Sequence, residues 1–305
     1  MYNIIGKRYW WFLISGLLIL VSIVSLATVG LKPGIEFSSG SLLSVTFQNE
    51  VDYDEFKAEI ASLGYSDAIV QQTGSGDFLI RTKELSDQEK AAIETGLQAR
   101  FGALTEASFS SVSPQAASET INNALIAVAV ASIGILLYVT WAFRRMPRPF
   151  RYGTCAVIAL IHDALVALGV FSILGALLGW ETNLMFITGI LAIIGYSINN
   201  TIVVFDRIRE NLIRGVSGNF ELVVNNSQVE TMARSINTSF TTIITVLAIL
   251  LFVGASIQNF AVVLLIGIIA GTFDSVFVAP SLLVVWDKGE WSRFIPFRRA
   301  SLQKA

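Results

Sequence analysis

Long apolar runs alternate with short charged joints along this chain, and that pattern predicts helices that cross a membrane. A crossing needs about 20 predominantly apolar residues. Four runs reach that length: residues 9–31, 120–143, 152–180 and 182–205, the third broken only by His162 and Asp163. Residues 235–286 form a longer run with a single charge, Asp274. At about 1.5 Å per residue this is too much for one crossing, and Gly254-Ala255-Ser256-Ile257-Gln258-Asn259 supplies turn residues near its middle. Six spans are therefore predicted, at 9–31, 119–143, 152–176, 182–206, 235–256 and 260–286.

The charges orient these spans. Residues 1–8, 144–151, 207–234 and 287–305 collect fifteen of the 21 Lys and Arg residues, while the joints around Glu181 and Gln258 hold none. By the positive-inside rule, both termini, the loops 144–151 and 207–234 and the tail 287–305 are expected in the cytoplasm. The first apolar run follows Lys7 and Arg8 as in a signal peptide, and Ser25-Leu26-Ala27 loosely resembles a cleavage site. The run is longer than the usual h-region of about 7 to 15 residues, so a retained anchor is expected.

Residues 32–118 have ordinary soluble composition and carry the other basic residues. Alternation at 42–47 predicts a strand, and Phe56, Ile60 and Leu63 at helical spacing predict a helix over 52–63. Segments 68–72 and 78–82, joined through Gly74-Ser75-Gly76-Asp77, predict a hairpin. Ser86-Asp87-Gln88-Glu89 resembles a capping box opening a second helix that Gly102 stops, and 107–112 can form a last strand. The order β-α-β-β-α-β is that of a ferredoxin-like split βαβ unit. The expected fold is thus mainly α, six membrane helices with one extracytoplasmic α+β ferredoxin-like domain between the first two. No His, Cys or phosphate-binding glycine loop occurs in the outer segment, so its expected role is binding or mechanical coupling.

Composition narrows the function further. The chain is 53% hydrophobic and only 14% charged, with a net charge of -2; its mean hydropathy is +0.64. A soluble enzyme is improbable on these figures, and nothing in the charge balance suggests nucleic acid. One cysteine, Cys155, and one histidine, His162, leave no Cys/His metal constellation. No metal and no cofactor are expected.

Ionisable groups at membrane depth are costly and are functional hypotheses by default. His162-Asp163 in the third span, Asn199-Asn200 in the fourth and Asp274 in the sixth all fall roughly mid-bilayer. Asp163 and Asp274 are read as proton or substrate groups. For Ser197, Asn199 and Thr238 the reading is interhelical hydrogen bonding. Asp206, Arg207 and Arg209 sit where the fourth span leaves the membrane and serve equally well as a solvated cap. Gly267 and Gly271 form a GxxxG that allows close helix approach, and Gly189 and Gly195 offer small contact points in the fourth span.

Several strings resemble the SecD/SecF family of the bacterial Sec protein translocase, in its SecF branch. Gly34-Ile35-Glu36-Phe37-Ser38-Ser39-Gly40 is similar to the family's GIDFxGG motif, and Val112-Ser113-Pro114 to Glu119 to its V-G-P-x-x-S-x-E stretch. Arg151-Tyr152-Gly153 with His162-Asp163 resembles its third span; the most specific match is Ile194-Gly195-Tyr196-Ser197-Ile198-Asn199 followed by VVFDRIREN. The resemblance implies a resistance-nodulation-division protein of the bacterial inner membrane. It implies pairing with SecD, separate or fused, to help draw preproteins from the SecYEG channel with the proton-motive force after SecA has driven them in. Where the family has Asn-Asp-Thr, this chain has Asn199-Asn200-Thr201, and an amide cannot titrate. Arg234 aligns with the arginine that the resemblance pairs with that acid, and Asp274 stands where the family usually has a small residue. One expectation is that the carboxylate has migrated from position 200 to 274, making Asp163, Asn200, Arg234 and Asp274 the candidate proton relay, supported by His162, Ser197, Asn199 and Asp206. The other is an inactive proton site in a structural assembly subunit. A half-transporter of the same superfamily is a rival that needs a large pocket in the outer domain, and an intramembrane protease lacks any HExxH or paired-aspartate motif.

Overall fold

A computed structural model describes residues 2–72, 76–252 and 257–293. It divides into two compact units, residues 33–125 and the remainder. The turn residues expected at 74–75 and 254–256, and the tail beyond 293, lie outside the described residues.

The first unit is built on a four-stranded sheet of β1 (Gly40–Phe47), β2 (Ile69–Gln72), β3 (Phe78–Thr82) and β4 (Leu104–Val112), ordered β2-β3-β1-β4 with every neighbouring pair antiparallel. In chain order β1 follows α1 (Arg8–Thr28) and the short α2 (Ile35–Ser38); α3 (Tyr53–Ser62) and α4 (Asp87–Phe101) intervene between strands. Leu43, Val45, Phe78 and Ile80 point from the sheet onto Phe56, Ile60, Ile93 and Leu97 of the two helices, and Phe56 stacks on Phe78 at 4.0 Å. Both helices start on well-formed caps. Asp52 accepts from the Asp54 and Glu55 N–H groups, and Ser86 and Glu89 close a full capping box. Those bonds to the Ser86 backbone N–H and hydroxyl hold the Glu89 carboxyl below the ordinary glutamate range. Gly40, at φ +113°, must be glycine because a Cβ there would stand 2.5 Å from the Thr82 carbonyl oxygen.

Six helical stretches are long and apolar enough to cross a membrane: Ile5–Thr28, Pro114–Ala142, Phe150–Leu178, Leu184–Ile213, Phe220–Phe252 and Gln258–Lys288. They comprise α1, α5 (Pro114–Ala142), α6 (Phe150–Leu178), α7 (Leu184–Ile213), α8 (Phe220–Phe252) and a last span made of α9 (Gln258–Phe273), one π-helical turn (Asp274–Val278) and α10 (Ala279–Lys288). About half of the apolar window of α6 and of the last span is buried, against 6% for α5. The centre of the bundle is therefore α6, α7 and the last span, and most of α5 presents its apolar surface outward.

Two departures from the sequence pattern matter. Residues 207–234, expected as a loop, are mostly helix: α7 runs on to Ile213 and α8 starts at Phe220. These turns are polar, so hydropathy alone does not mark how far the helices extend. They are tied to the N-terminus, where Asn225 Oδ1 accepts from the Ile4 and Ile5 N–H groups at 2.8 and 3.2 Å and Arg8 bridges Glu221 and Glu290 at 2.7 and 2.8 Å.

The second departure is the π-helical turn in the last span. Pro280 has no N–H to donate to the Val276 carbonyl four residues earlier; Gln228 of α8 donates to that oxygen instead, at 2.7 Å. The Ala279 N–H reaches back to the Asp274 carbonyl. Such widened turns occur often at functional sites, and this one begins at Asp274.

Candidate functional site

The centre of the bundle gathers three ionisable side chains from two elements. Successive residues on a helix point about 100° apart, so the adjacent pair His162-Asp163 reaches two neighbours from α6 at once. His162 Nδ1 lies 3.2 Å from Asp163 Oδ1 and 3.9 Å from Asp274 Oδ2. Ser197 of α7 donates to Asp163 Oδ2 at 2.5 Å. Both carboxylates are fully buried. Among the described residues neither oxygen of Asp274 has a hydrogen-bond partner, nor does His162 Nε2. A cavity of about 330 Å³, walled mainly by apolar residues of α1 and α6, reaches His162 and Asp274 from the side.

The approach of the helices is set by glycines. A Cβ on Gly267 would lie 2.1 Å from Ile193 Cγ1, and one on Gly271 would lie 3.0 Å from Ser197 Cβ and 3.1 Å from Asp163 Oδ2. Gly189 similarly faces Val263 at 3.0 Å. These three contacts bring α7 against α9, with Gly271 under the Asp163–Ser197 bond. Gly195 has nothing within 4 Å of its would-be Cβ; expected as a contact point, it faces outward from the described residues instead.

A second polar cluster adjoins the first. The buried Asn200 donates to Ser239 Oγ of α8 at 3.4 Å; Tyr196 and Thr272 bond to the same oxygen at 3.1 and 2.6 Å. Thr201 and Ser275 pair at 2.9 Å, and Ser275 donates to the Ser197 carbonyl at 3.3 Å. Thr272 and Ser275 flank Asp274 in sequence and tie the two clusters together. Gln228 was not singled out by the sequence, since a glutamine in a helix carries no signal until its partner helix is known.

The remaining candidates lie elsewhere. Asn199, Asp206 and Arg234 are exposed, and Asp206 pairs with Arg209 at 2.5 Å. Arg234 forms no ion pair among the described residues and does not join the carboxylates. By distance alone, one donor atom each from His162, Asp163 and Asp274 lies within 4.8 Å of the others, a set compatible with a metal ion. Cys/His spacing could not register it, because its donors come from separate helices and two are carboxylates.

Residues 92–289 match the family described as "Protein export membrane protein SecD/SecF, C-terminal", and residues 24–51 the one described as "SecD/SecF GG Motif". The chain belongs to the SecD/SecF family. It is 41% identical over 317 aligned residues to the protein translocase subunit SecF of Thermobaculum terrenum, covering 100% of this chain and 99% of that protein. It is 34% identical to the protein translocase subunit SecDF of Bacillus subtilis, over 92% of this chain but 37% of that protein. A crystal structure of SecDF from Thermus thermophilus, described as a translocon-associated membrane protein, superposes with a TM-score of 0.82 at 30% identity. That match covers 94% of this chain and 39% of the SecDF chain. The chain is thus a multi-pass protein of an export family, spanning about two fifths of the solved SecDF structure.

The SecD/SecF C-terminal match includes every residue of both polar clusters. The GG-motif match includes Ser39 and Gly40, and both adopt positive φ, at 62° and 113°. Serine stands at the first of these two positions in a conformation, φ 62° and ψ 171°, that is essentially reserved for glycine.

Proposed function

We propose that the chain is a SecF-type accessory subunit of Sec protein export, acting with a SecD partner to convert the proton-motive force into late preprotein movement at the SecYEG channel. In this reading the sheet unit is a ferredoxin-like domain outside the cytoplasm, both termini are cytoplasmic, the membrane is the bacterial inner membrane, and SecA supplies the earlier push. Asp163 and Asp274 carry the proton, His162 lies between them, and Ser197 orients Asp163. The observation that carries the reading is the buried Asp274 carboxyl, which has no hydrogen-bond partner among the described residues and lies 3.9 Å from His162. An unpartnered ionisable group at this depth is costly to retain unless it works. One charge falling through 100 mV releases about 2.3 kcal/mol, so a few protons per cycle suffice to bias a domain movement.

A second reading is favoured by Asn200. Its amide is buried and bonded to Ser239, which suits a structural subunit that conducts no protons itself. Proton flux into vesicles holding the chain with its SecD partner separates the two. In the first reading flux is present and Asp274→Asn and Asp163→Asn each abolish it. Flux that is absent in the unaltered complex and appears only with Asn200→Asp leaves the structural reading standing.

A further inference from the structure

A second site lies at the end of the bundle where the arginines cluster. A cavity of about 460 Å³ opens between the α5–α6 joint, the start of α8 and the end of α10. Arg148, Arg151 and Tyr152 line one side; Phe220 and Leu283 line the other. The volume is in the range of small-molecule sites, and its charged lining is two guanidinium groups and one carboxylate, Asp287, a net positive charge beside an apolar wall.

Three features mark the cavity as built for an anion. Arg148 is held at φ 55°, a left-handed conformation that a non-glycine residue adopts at a cost, and such outliers collect at ligand clamps. Pro147 and Pro149 fix the chain on either side of it. Among the described residues Arg148 has no carboxylate partner, while Arg151 pairs with Asp287, which also lines the cavity, at 3.5 Å and lies over the Trp286 ring at 5.7 Å. The N-terminus of α6, which places Arg151 in its first turn, takes no side-chain cap and adds a partial positive charge.

We propose that this cavity binds the phosphate of an anionic phospholipid headgroup, held by Arg148 and Arg151, with the glycerol and acyl stem against Phe220 and Leu283. Arginine's planar fork matches phosphate oxygens with paired hydrogen bonds. Basic pockets between membrane helices recognise lipid headgroups in this way. The apolar wall favours a lipid over a free phosphate, whose whole surface is polar. The assignment is independent of proton conduction.

Native mass spectrometry of the full chain in detergent, with phosphatidylglycerol or phosphatidylcholine added at equal concentration, tests it. Phosphatidylglycerol should be retained about tenfold better, because both lipids carry the phosphate but the choline cation of phosphatidylcholine is repelled by the two arginines. Arg148→Gln with Arg151→Gln should abolish that preference, and Arg145→Gln, in the same loop but outside the cavity lining, should preserve it. Arg148→Gly separates binding from folding: glycine relieves the backbone, so thermal stability should rise while lipid retention falls. An unchanged preference in the double variant, or an equal loss with Arg145→Gln, overturns the site. Displacement of phosphatidylglycerol by inorganic phosphate at matched concentration overturns the lipid assignment and makes free phosphate the ligand.

Discussion

The sheet unit and the helical bundle differ in where they leave polar groups unsatisfied. Among the described residues, the buried side-chain atoms without a hydrogen-bond partner belong to Thr140, His162, Gln228, Ser235 and Asp274, all in the bundle. In the sheet unit the buried Ser41 hydroxyl pairs with Ser111 and takes the Leu85 N–H, and both helix starts are capped. Its one conspicuous local cost is the backbone of Ser39. A buried polar group without a partner costs about 1–3 kcal/mol, and three of the six such atoms in the bundle belong to His162 and Asp274. The sheet unit has the economy of a soluble domain, whereas the bundle gives up stability where two carboxylates and an imidazole converge.

The strongest way to break this comparison is to remove the unpartnered group. Asp274→Ala should eliminate proton flux in the reconstituted complex and, having deleted two unsatisfied oxygens, raise stability by about 1–3 kcal/mol, read as a higher Tm in detergent. Gain of stability with loss of function is the signature of a strained working site. A lower Tm would mean that the carboxylate holds the bundle together, and the contrast between the units would fail.

Helix approach gives the next effect. Gly267→Leu forces a side chain into Ile193 and should destabilise the chain by about 1–3 kcal/mol through overpacking. Gly195→Ala, with open space around its Cβ, should instead stabilise by about 0.5–1 kcal/mol through the lower backbone entropy of alanine. The two glycines sit on helices that the sequence reads alike, so paired Tm measurements isolate packing from propensity. Equal shifts would show that α9 does not press on α7 at Gly267.

Much of the architecture was legible because its determinants are local. Apolar runs mark the helices long enough to cross a membrane, alternation marks β1, the glycine-containing joint marks the β2–β3 pair, and Ser86 with Glu89 announces α4. The site was legible only in depth: His162, Asp163 and Asp274 could be placed near mid-bilayer, but which helix faces meet is decided by packing around Gly267 and Gly271. The π-helical turn was opaque for the same reason. Pro280 breaks the helical bond locally, yet the break is tolerated because Gln228 of another helix takes over the Val276 carbonyl. The exposed position of Arg234 was hidden because α8 starts well before the apolar run, and alignment to a motif says nothing of the face on which a residue lies.

Within the sheet unit, Ser39 is the local exception to its economy. Ser39→Gly keeps the turn before β1 and removes the strain of a serine at φ 62° and ψ 171°, so it should stabilise by about 1 kcal/mol. Denaturant unfolding of the full chain, followed by hydrogen exchange at β1, measures this. No change in β1 protection would place the cost elsewhere.

The smallest effect comes from the capping box of α4. Glu89 is exposed, and its carboxyl is held below the ordinary glutamate range by the hydrogen bonds from Ser86. The sign follows from linkage: a carboxyl with a lowered value in the folded chain adds stability above its unfolded value, and that contribution is lost as pH falls through the folded value. Amide protection in the first turn of α4 should therefore hold from neutral pH down to the ordinary glutamate range and weaken below it, while core amides of β1 keep theirs. Ser86→Ala removes the hydroxyl acceptor of the Glu89 N–H and should lower protection at neutral pH, while the backbone N–H at position 86 still bonds the Glu89 carboxylate and keeps much of the pH dependence. If the pH dependence survives unchanged in Glu89→Gln, which removes the titrating group, then Glu89 is not its source, and the polar groups of the sheet unit are less completely matched than those bonds imply.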